Sequence, residues 1–216
     1  RFSNSAEEEL DTEVRKYFPG DNRKRIHWKA TARLQQLITR KYQHIPKAEI
    51  ILFMDLMKIK DDDLKVVIAE DKIIESVLAI ANFYAQRGTS SQIIYELEGL
   101  QCVDIHSKED FNVFYKACVR IDFKSTIPVS MLLKEHLIHH GEGVFYVAAT
   151  HSLTRELYLE GLKAVSGGNH ICILFVSDDV SEETKKIIDG MKNSGIDIYQ
   201  IMSEDEIADV LSQEVI

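Results

Sequence analysis

The chain has 216 residues, 45% of them apolar, with 26 Lys and Arg against 35 Asp and Glu and a formal net charge of −9. That suffices for one large domain, or one domain with an appendage, and no run reaches the roughly 18 apolar residues that span a bilayer. Cys102, Cys118 and Cys172 are widely spaced with no Cys-x-x-Cys pair, which fits a reducing compartment and argues against a disulfide framework or a thiolate zinc site.

The first 13 residues carry five acids and one Arg, and the stretch "SNSAEEELDTE" is expected to fray. "VRKYF" alternates apolar and charged residues, the pattern of a half-buried strand. "PGDN" is a turn signature. "RIHWKATARLQQLITRKYQHI" reads as a short helix around Trp28–Leu34 followed by a strand about Leu37–Tyr42, and Pro46 closes the section. The chain begins at Arg1 with no leader pattern, so it is expected to be a piece of a longer protein.

From Ala48 the rhythm changes. "AEIILFMDL" is a near-continuous apolar run, as in a strand buried on both faces. "DKIIESVLAIANFYAQRG" places Ile73, Ile74, Val77, Leu78, Ala81 and Tyr84 on one helical face, with Gly88 as its stop. The preceding "DDD", Asp61–Asp63, is expected to be an exposed loop or a helix start, with a cation site as the weaker alternative. "SQIIYELEG" is a strand, Glu109–Cys118 a candidate helix, and "PVSMLLKEHLIHHG" a helix ending at Gly141. "GVFYVAAT" (strand), "SLTRELYLEGLKAVSGG" (helix), "HICILFVS" (strand), "SEETKKIIDGMKNSG" (helix, N-cap Ser181), "IDIYQIM" (strand) and "SEDEIADVLSQ" (helix opened by Ser203) complete the chain. Cys172, inside "ICILFV", is expected to serve as a small buried hydrophobe. Strands alternating with helices of this length predict an α/β class, doubly wound around a mostly parallel sheet. Residues 48–216 would form this body, and residues 1–47 a basic strand–turn–helix appendage.

Several chemistries lack their signatures. No Gly-x-Gly-x-x-Gly opens a helix after a strand, no Walker A sequence occurs, and no Gly-x-Ser-x-Gly elbow is present. His136 and His140 are four apart on one helical face, a spacing that can hold a metal. Without a Glu between two histidines, the expected reading is a solvated helix end facing the negative end of the dipole.

Charge is distributed unevenly. Val14–Lys47 holds ten cationic side chains against Asp21 alone, whereas residues 48–216 hold 15 basic and 29 acidic ones. Arg23, Lys24, Arg25, Lys29 and Arg33 surround the sole tryptophan, Trp28. Three readings of this strip stand open. It folds on the acidic body, with the Trp ring over apolar surface and the Arg forks on carboxylates; it gathers a phosphate; or it meets an anionic membrane surface.

The stretch "VRKYFPGDNRKRIHWKATARLQQLITRKY" resembles the hallmark of a bacterial family known as domain-of-unknown-function family fifty-eight. The matching positions are Arg15, Tyr17, Gly20, Asp21, Ile26, Trp28, Lys29, Ala32, Arg33, Leu37, Arg40 and Tyr42. Beyond it, the strand–helix order of residues 48–216 resembles a von Willebrand factor A-like domain. The resemblance implies membrane helices upstream, a position at the cytoplasmic face of the cell membrane, and association with an AAA+ ATPase of the MoxR class; it implies no catalytic activity.

Domains of the von Willebrand A type commonly bind partners through a metal at the tips of the sheet, held by Asp-x-Ser-x-Ser after the first buried strand. Here Asp55 is followed by Met57 and Ile59, which offer no side-chain oxygen to a hard cation. His151 stands where a later acid is expected, and Thr126 matches the middle ligand. No bound metal and no cofactor are therefore expected.

The resulting expectation is a non-enzymatic protein-binding module, working with an ATPase in an envelope-linked or assembly process, with no nucleic-acid partner. Within its motif Asp21 would cap or pair with Arg25 or Arg33, Trp28 would anchor the strip, and Lys29 would face an external partner. The alternative is an enzyme or sensor for a phosphorylated ligand gathered by that basic segment.

Overall fold

The computed structural model describes residues 10–16, 31, 33–43 and 50–214, and the chain divides into two compact units, Arg1–Lys47 and Ala48–Ile216. In the first, β1 (Leu10–Lys16) pairs antiparallel with β2 (Ile38–Gln43), from Leu10 opposite Gln43 to Lys16 opposite Ile38, with a register irregularity between Asp11 and Glu13. Residues 10–13, expected to fray, are thus part of a strand: each non-proline residue there has backbone groups that the partner strand satisfies. Thr31, Arg33 and Leu34 are helical, and Gln35 ends the turn at φ 49°. Tyr17, Phe18 and Trp28–Ala30 lie outside the described residues.

The second unit is a six-stranded sheet in the order β5–β4–β3–β6–β7–β8. Its strands are β3 (Ile50–Met54), β4 (Ser91–Glu96), β5 (Leu100–Ile105), β6 (Phe145–Thr150), β7 (His170–Val176) and β8 (Asp197–Ile201). All neighbours are parallel except β4 and β5. The antiparallel edge strand β5 was not expected: its only wholly buried side chain is Ile105, so it lacks the apolar run that marks its neighbours. A turn at Leu97–Gly99 sets it, with Glu98 and Gly99 both at positive φ (52° and 119°) and the Leu97 N–H donating to the Gly99 carbonyl.

Six helices among the described residues cover both faces: α1 (Asp63–Gln86), α2 (Lys108–Ala117), α3 (Val129–His139), α4 (Arg155–Ser166), α5 (Glu182–Asn193) and α6 (Ile207–Glu214). Alternation along the strands separates two cores. Ile50, Leu52 and Met54 of β3 pack with Ile73, Val77 and Ile80 of α1, Phe114 of α2 and Leu211 of α6. Ile51 and Phe53 point the other way, to Leu133 of α3, Leu157 of α4 and Met191 of α5. The sheet is therefore doubly wound, and the α/β class read from the sequence stands. Cys172 is 1% exposed within the first core, and burial pushes its thiol pKa up.

Helix α1 begins ten residues before its first buried side chain, Ile73. Its 24 residues run about 36 Å, against about 17 Å for the five-residue β3. Joining two parallel strands, α1 runs opposite to them, so its exposed first turns (Leu64, 68% exposed; Val67, 53%) rise past the carboxyl end of the sheet. Asp62 caps them, its carboxylate accepting from the Leu64 N–H at 3.1 Å; the "DDD" stretch is a helix start. Ser181 caps α5 as expected, accepting from the Thr184 N–H at 3.2 Å. Helix α6, by contrast, starts at Ile207 and not at Ser203, because the Ser203 hydroxyl and N–H are bound by Asp178 at 2.6 and 2.7 Å.

Candidate functional site

The order of the strands reverses direction between β3 and β6, and in open α/β sheets the crevice beyond the carboxyl ends at such a point is the usual binding position. Asp55 follows β3 there and Thr150 ends β6. The Asp55 carboxylate, 4% exposed, accepts from the Thr150 hydroxyl at 2.6 Å and from the Met57 N–H at 3.1 Å. Its own N–H donates to the Ala149 carbonyl at 3.0 Å. Each carboxylate oxygen thus already accepts an internal donor. Thr150 is fully buried and its hydroxyl also accepts the Ser152 N–H at 3.1 Å.

His151, next along the chain, is held below the usual imidazole pKa by burial, with the negative charge of Asp55 opposing the shift. Its Nδ1 is buried without a hydrogen-bond partner. The segment facing the β3 loop is stitched to it by a parallel bridge between Met57 and Ser125 and by the Ser125 N–H donating to the Leu56 carbonyl at 2.9 Å. Thr126 is exposed, and its N–H donates to Glu96 at 3.2 Å. The donor set at this position is one carboxylate and hydroxyls already bonded within the protein, beside a Met, an Ile and an imidazole. That set does not suit a hard divalent cation, which takes six or more oxygens. Among the described residues no cluster of three or more His, Cys, Asp or Glu has metal-holding geometry.

Beside Asp55 opens a cleft of about 380 Å³, lined among others by Lys60, Lys65, His151, Ser177, Asp178 and Asp179. The overhanging start of α1 makes one wall. The loops after β7 and β8 make the other. The aspartates of that wall are locally engaged: Asp178 by Ser203, and Asp179 by the Thr184 hydroxyl at 2.6 Å and the Ser181 N–H at 2.9 Å. These bonds hold both carboxyls below their usual pKa. Among the described residues Lys60 has no ion-pair partner, and Lys65 pairs with its own helix start, Asp61, at 3.9 Å and also helps lower the Asp178 pKa. Sequence reasoning missed Asp178 and Asp179; the signal was the acidic pair directly after a buried strand.

Of the histidine pair, His140 is exposed at the helix end as expected, but His136 is not. His136 is 8% exposed, its ring lies 3.5 Å from that of His140 in a parallel stack, and its Nδ1 is 3.3 Å from the Tyr146 hydroxyl. Burial first, then His140 and His139, push its pKa down to about 4, so it is a neutral core residue. The sequence could not show this because α3 packs its Leu133 side, and His136 one turn on, against the sheet.

Of the motif residues, Arg33 is exposed in its helical turn. Asp21, Arg25, Trp28 and Lys29 lie outside the described residues.

Residues 13–98 match the model of the family described as "Protein of unknown function DUF58", so the family resemblance carried by the N-terminal motif holds over that segment. No curated protein matches the sequence. Among solved structures the chain is similar to proximal thread matrix protein 1 from the mussel byssus, with 13% identity and a TM-score of 0.53 over 77% of this chain and 46% of that one. It thus spans less than half the length of that neighbour. It is also similar to the conserved hypothetical protein BatB from Bacteroides thetaiotaomicron (11% identity, TM-score 0.49, 76% of this chain and 94% of that one). An aerotolerance-related membrane protein from Bacteroides fragilis gives 9% identity and a TM-score of 0.46, over 77% and 98%. At such identities the first of these likenesses speaks for the fold alone, a doubly wound α/β sheet. Among the described residues no helix is long and apolar enough to cross a membrane.

Proposed function

We propose that this chain is a non-enzymatic protein–protein interaction module. In this reading it is the cytoplasmic part of a membrane-anchored protein that works with a MoxR-type AAA+ ATPase in an envelope-linked or assembly process. The observation that carries the reading is the state of Asp55. At the position where a sheet of this type would present a metal-binding carboxylate, both oxygens accept from Thr150 and Met57. The neighbouring cleft carries the Lys60 and Lys65 ammonium groups, and its aspartates Asp178 and Asp179 are bonded to hydroxyls and N–H groups of their own loops. The thiols point the same way: burial raises the pKa of Cys118 to about 11 and of Cys172 further, away from the thiolate a nucleophile needs. The membrane and ATPase elements of the reading come from what the family resemblance implies, and the family model itself matches residues 13–98.

The test is affinity capture of the full-length parent protein from its native membrane fraction, with and without ATP. Retention of an AAA+ ATPase in amounts that change with nucleotide is the expected result. Capture of no ATPase in either condition, or turnover of a small substrate by the purified chain, overturns the reading.

A further inference from the structure

A second concavity, sharing no residue with the cleft beside Asp55, lies between α4 and α5. It encloses about 310 Å³ and is lined by Leu153, Thr154, Arg155, Tyr158, Lys186, Ile187, Gly190 and Met191. Met191 forms a buried floor, and Ile187 is left 40% exposed on one wall. The Tyr158 ring is fixed by its hydroxyl, 2.9 Å from the Ser194 hydroxyl. At Gly190 an added Cβ would meet nothing within 4 Å, so the missing side chain leaves the space open.

The charges around this apolar floor are all of one sign. Arg155 and Lys186 are the only charged residues of the lining. Both are exposed, and neither has a carboxylate partner among the described residues. This occurs in a unit whose acids outnumber its bases by 29 to 15. The two cations also stand on different helices, so they flank the apolar floor from both walls.

We infer that the groove docks a short acidic–apolar peptide segment of a protein partner, one apolar side chain entering over Gly190 between Tyr158 and Ile187 and flanking carboxylates meeting Arg155 and Lys186. A single-headed amphiphile brings its anion to one end only, whereas a peptide with acids on both sides of an apolar residue matches both walls. The apolar contact supplies most of the affinity, and the exposed ion pairs choose among partners. The volume, near the lower end of the range for ligand pockets, suits one or two side chains. This inference rests on the chain being an interaction module, but not on the partner being an ATPase.

The test uses the full chain and an amide-shift titration by NMR with three short synthetic peptides. Each has a leucine centre, flanked by glutamates, by glutamines or by lysines. The glutamate peptide is expected to shift Tyr158, Ile187, Gly190 and Met191. The glutamine peptide should bind about tenfold more weakly, as expected for the loss of two exposed ion pairs, and the lysine peptide should not bind. The double variant Arg155→Glu, Lys186→Glu should reverse that order, which a merely unfolded variant cannot do. Equal binding of glutamate and glutamine peptides, or shifts confined to other surfaces, overturns the inference. So does a concentration-dependent shift of the same amides without peptide, which would seat a second copy in the groove. Tighter binding to phosphatidylglycerol vesicles than to any peptide, lost in the double variant, would give the groove to a membrane and equally overturn it. ATPase capture that fails while the glutamate peptide still binds counts against the ATPase reading alone.

Discussion

Thr150→Val keeps the shape of a fully buried side chain and removes the hydroxyl that donates to Asp55 at 2.6 Å. Asp55 is 4% exposed, so bulk water does not replace the donor, and the Ser152 N–H loses its acceptor as well. A hydrogen bond to a charged group contributes about 1.5–3 kcal/mol, and a buried group left unpaired costs its desolvation besides. We expect a loss of about 3 kcal/mol, the upper end of that range. For a unit of this size each kcal/mol moves the midpoint by roughly 3 °C, which gives a fall of about 9 °C. Thr150→Ser keeps the hydroxyl and deletes one methyl, a cost of about 1 kcal/mol. Urea unfolding followed by near-ultraviolet circular dichroism measures both, provided the denaturant slope stays constant. If the valine variant proves as stable as the serine one, Asp55 does not depend on that hydroxyl and the reasoning fails.

The buried imidazole of His136 gives a pH prediction. Its folded pKa is pushed down to about 4, and an unfolded histidine titrates near 6.5. Between those values the unfolded chain takes up a proton that the folded one refuses, so stability falls as pH drops through the window, by up to about 3 kcal/mol. Melting His136→Leu at several pH values should show a flatter slope than the parent; an unchanged slope would place the titration elsewhere. Asp62→Ala removes the cap of α1 and should cost about 1 kcal/mol, read from the urea midpoint. Gly190→Ala, in an exposed helix interior with open space at its Cβ, should raise stability by about 0.5–1 kcal/mol while weakening the glutamate peptide. Of the three free thiols, only exposed Cys102 should react with a maleimide in the folded protein; rapid labelling of Cys172 would show that the core opens.

The parts of the fold most legible in the sequence were those that a single physical signal specifies. Ile50–Met54 is buried on both faces and reads as one apolar run, and the caps of α5 and the stop at Gly88 are local chemistry. The edge strand β5 escaped notice because Leu100, Gln101, Cys102 and Asp104 are exposed, so neither alternation nor a run marks it; only pairing with β4 makes it a strand. The early start of α1 was legible only as one of two readings of "DDD", because its overhanging turns bury nothing before Ile73. At the site, the departures Met57, Ile59 and His151 were visible as residue types. That the Thr150 hydroxyl fills one side of Asp55 was not, since the two residues are 95 apart in sequence. The burial of His136 depends on which side α3 turns to the sheet, and two histidines with equal spacing would read the same either way.

The central claim is that Asp55 serves as an internal acceptor and not as a seat for a divalent ion. Titrating manganese into the isotopically labelled chain tests this most directly, because the paramagnetic ion broadens nearby amide signals. The account predicts that Asp55, Met57, Thr150 and Ser152 keep their line widths while any broadening scatters over surface carboxylates. Saturable broadening centred on those four residues, removed by magnesium, would contradict it.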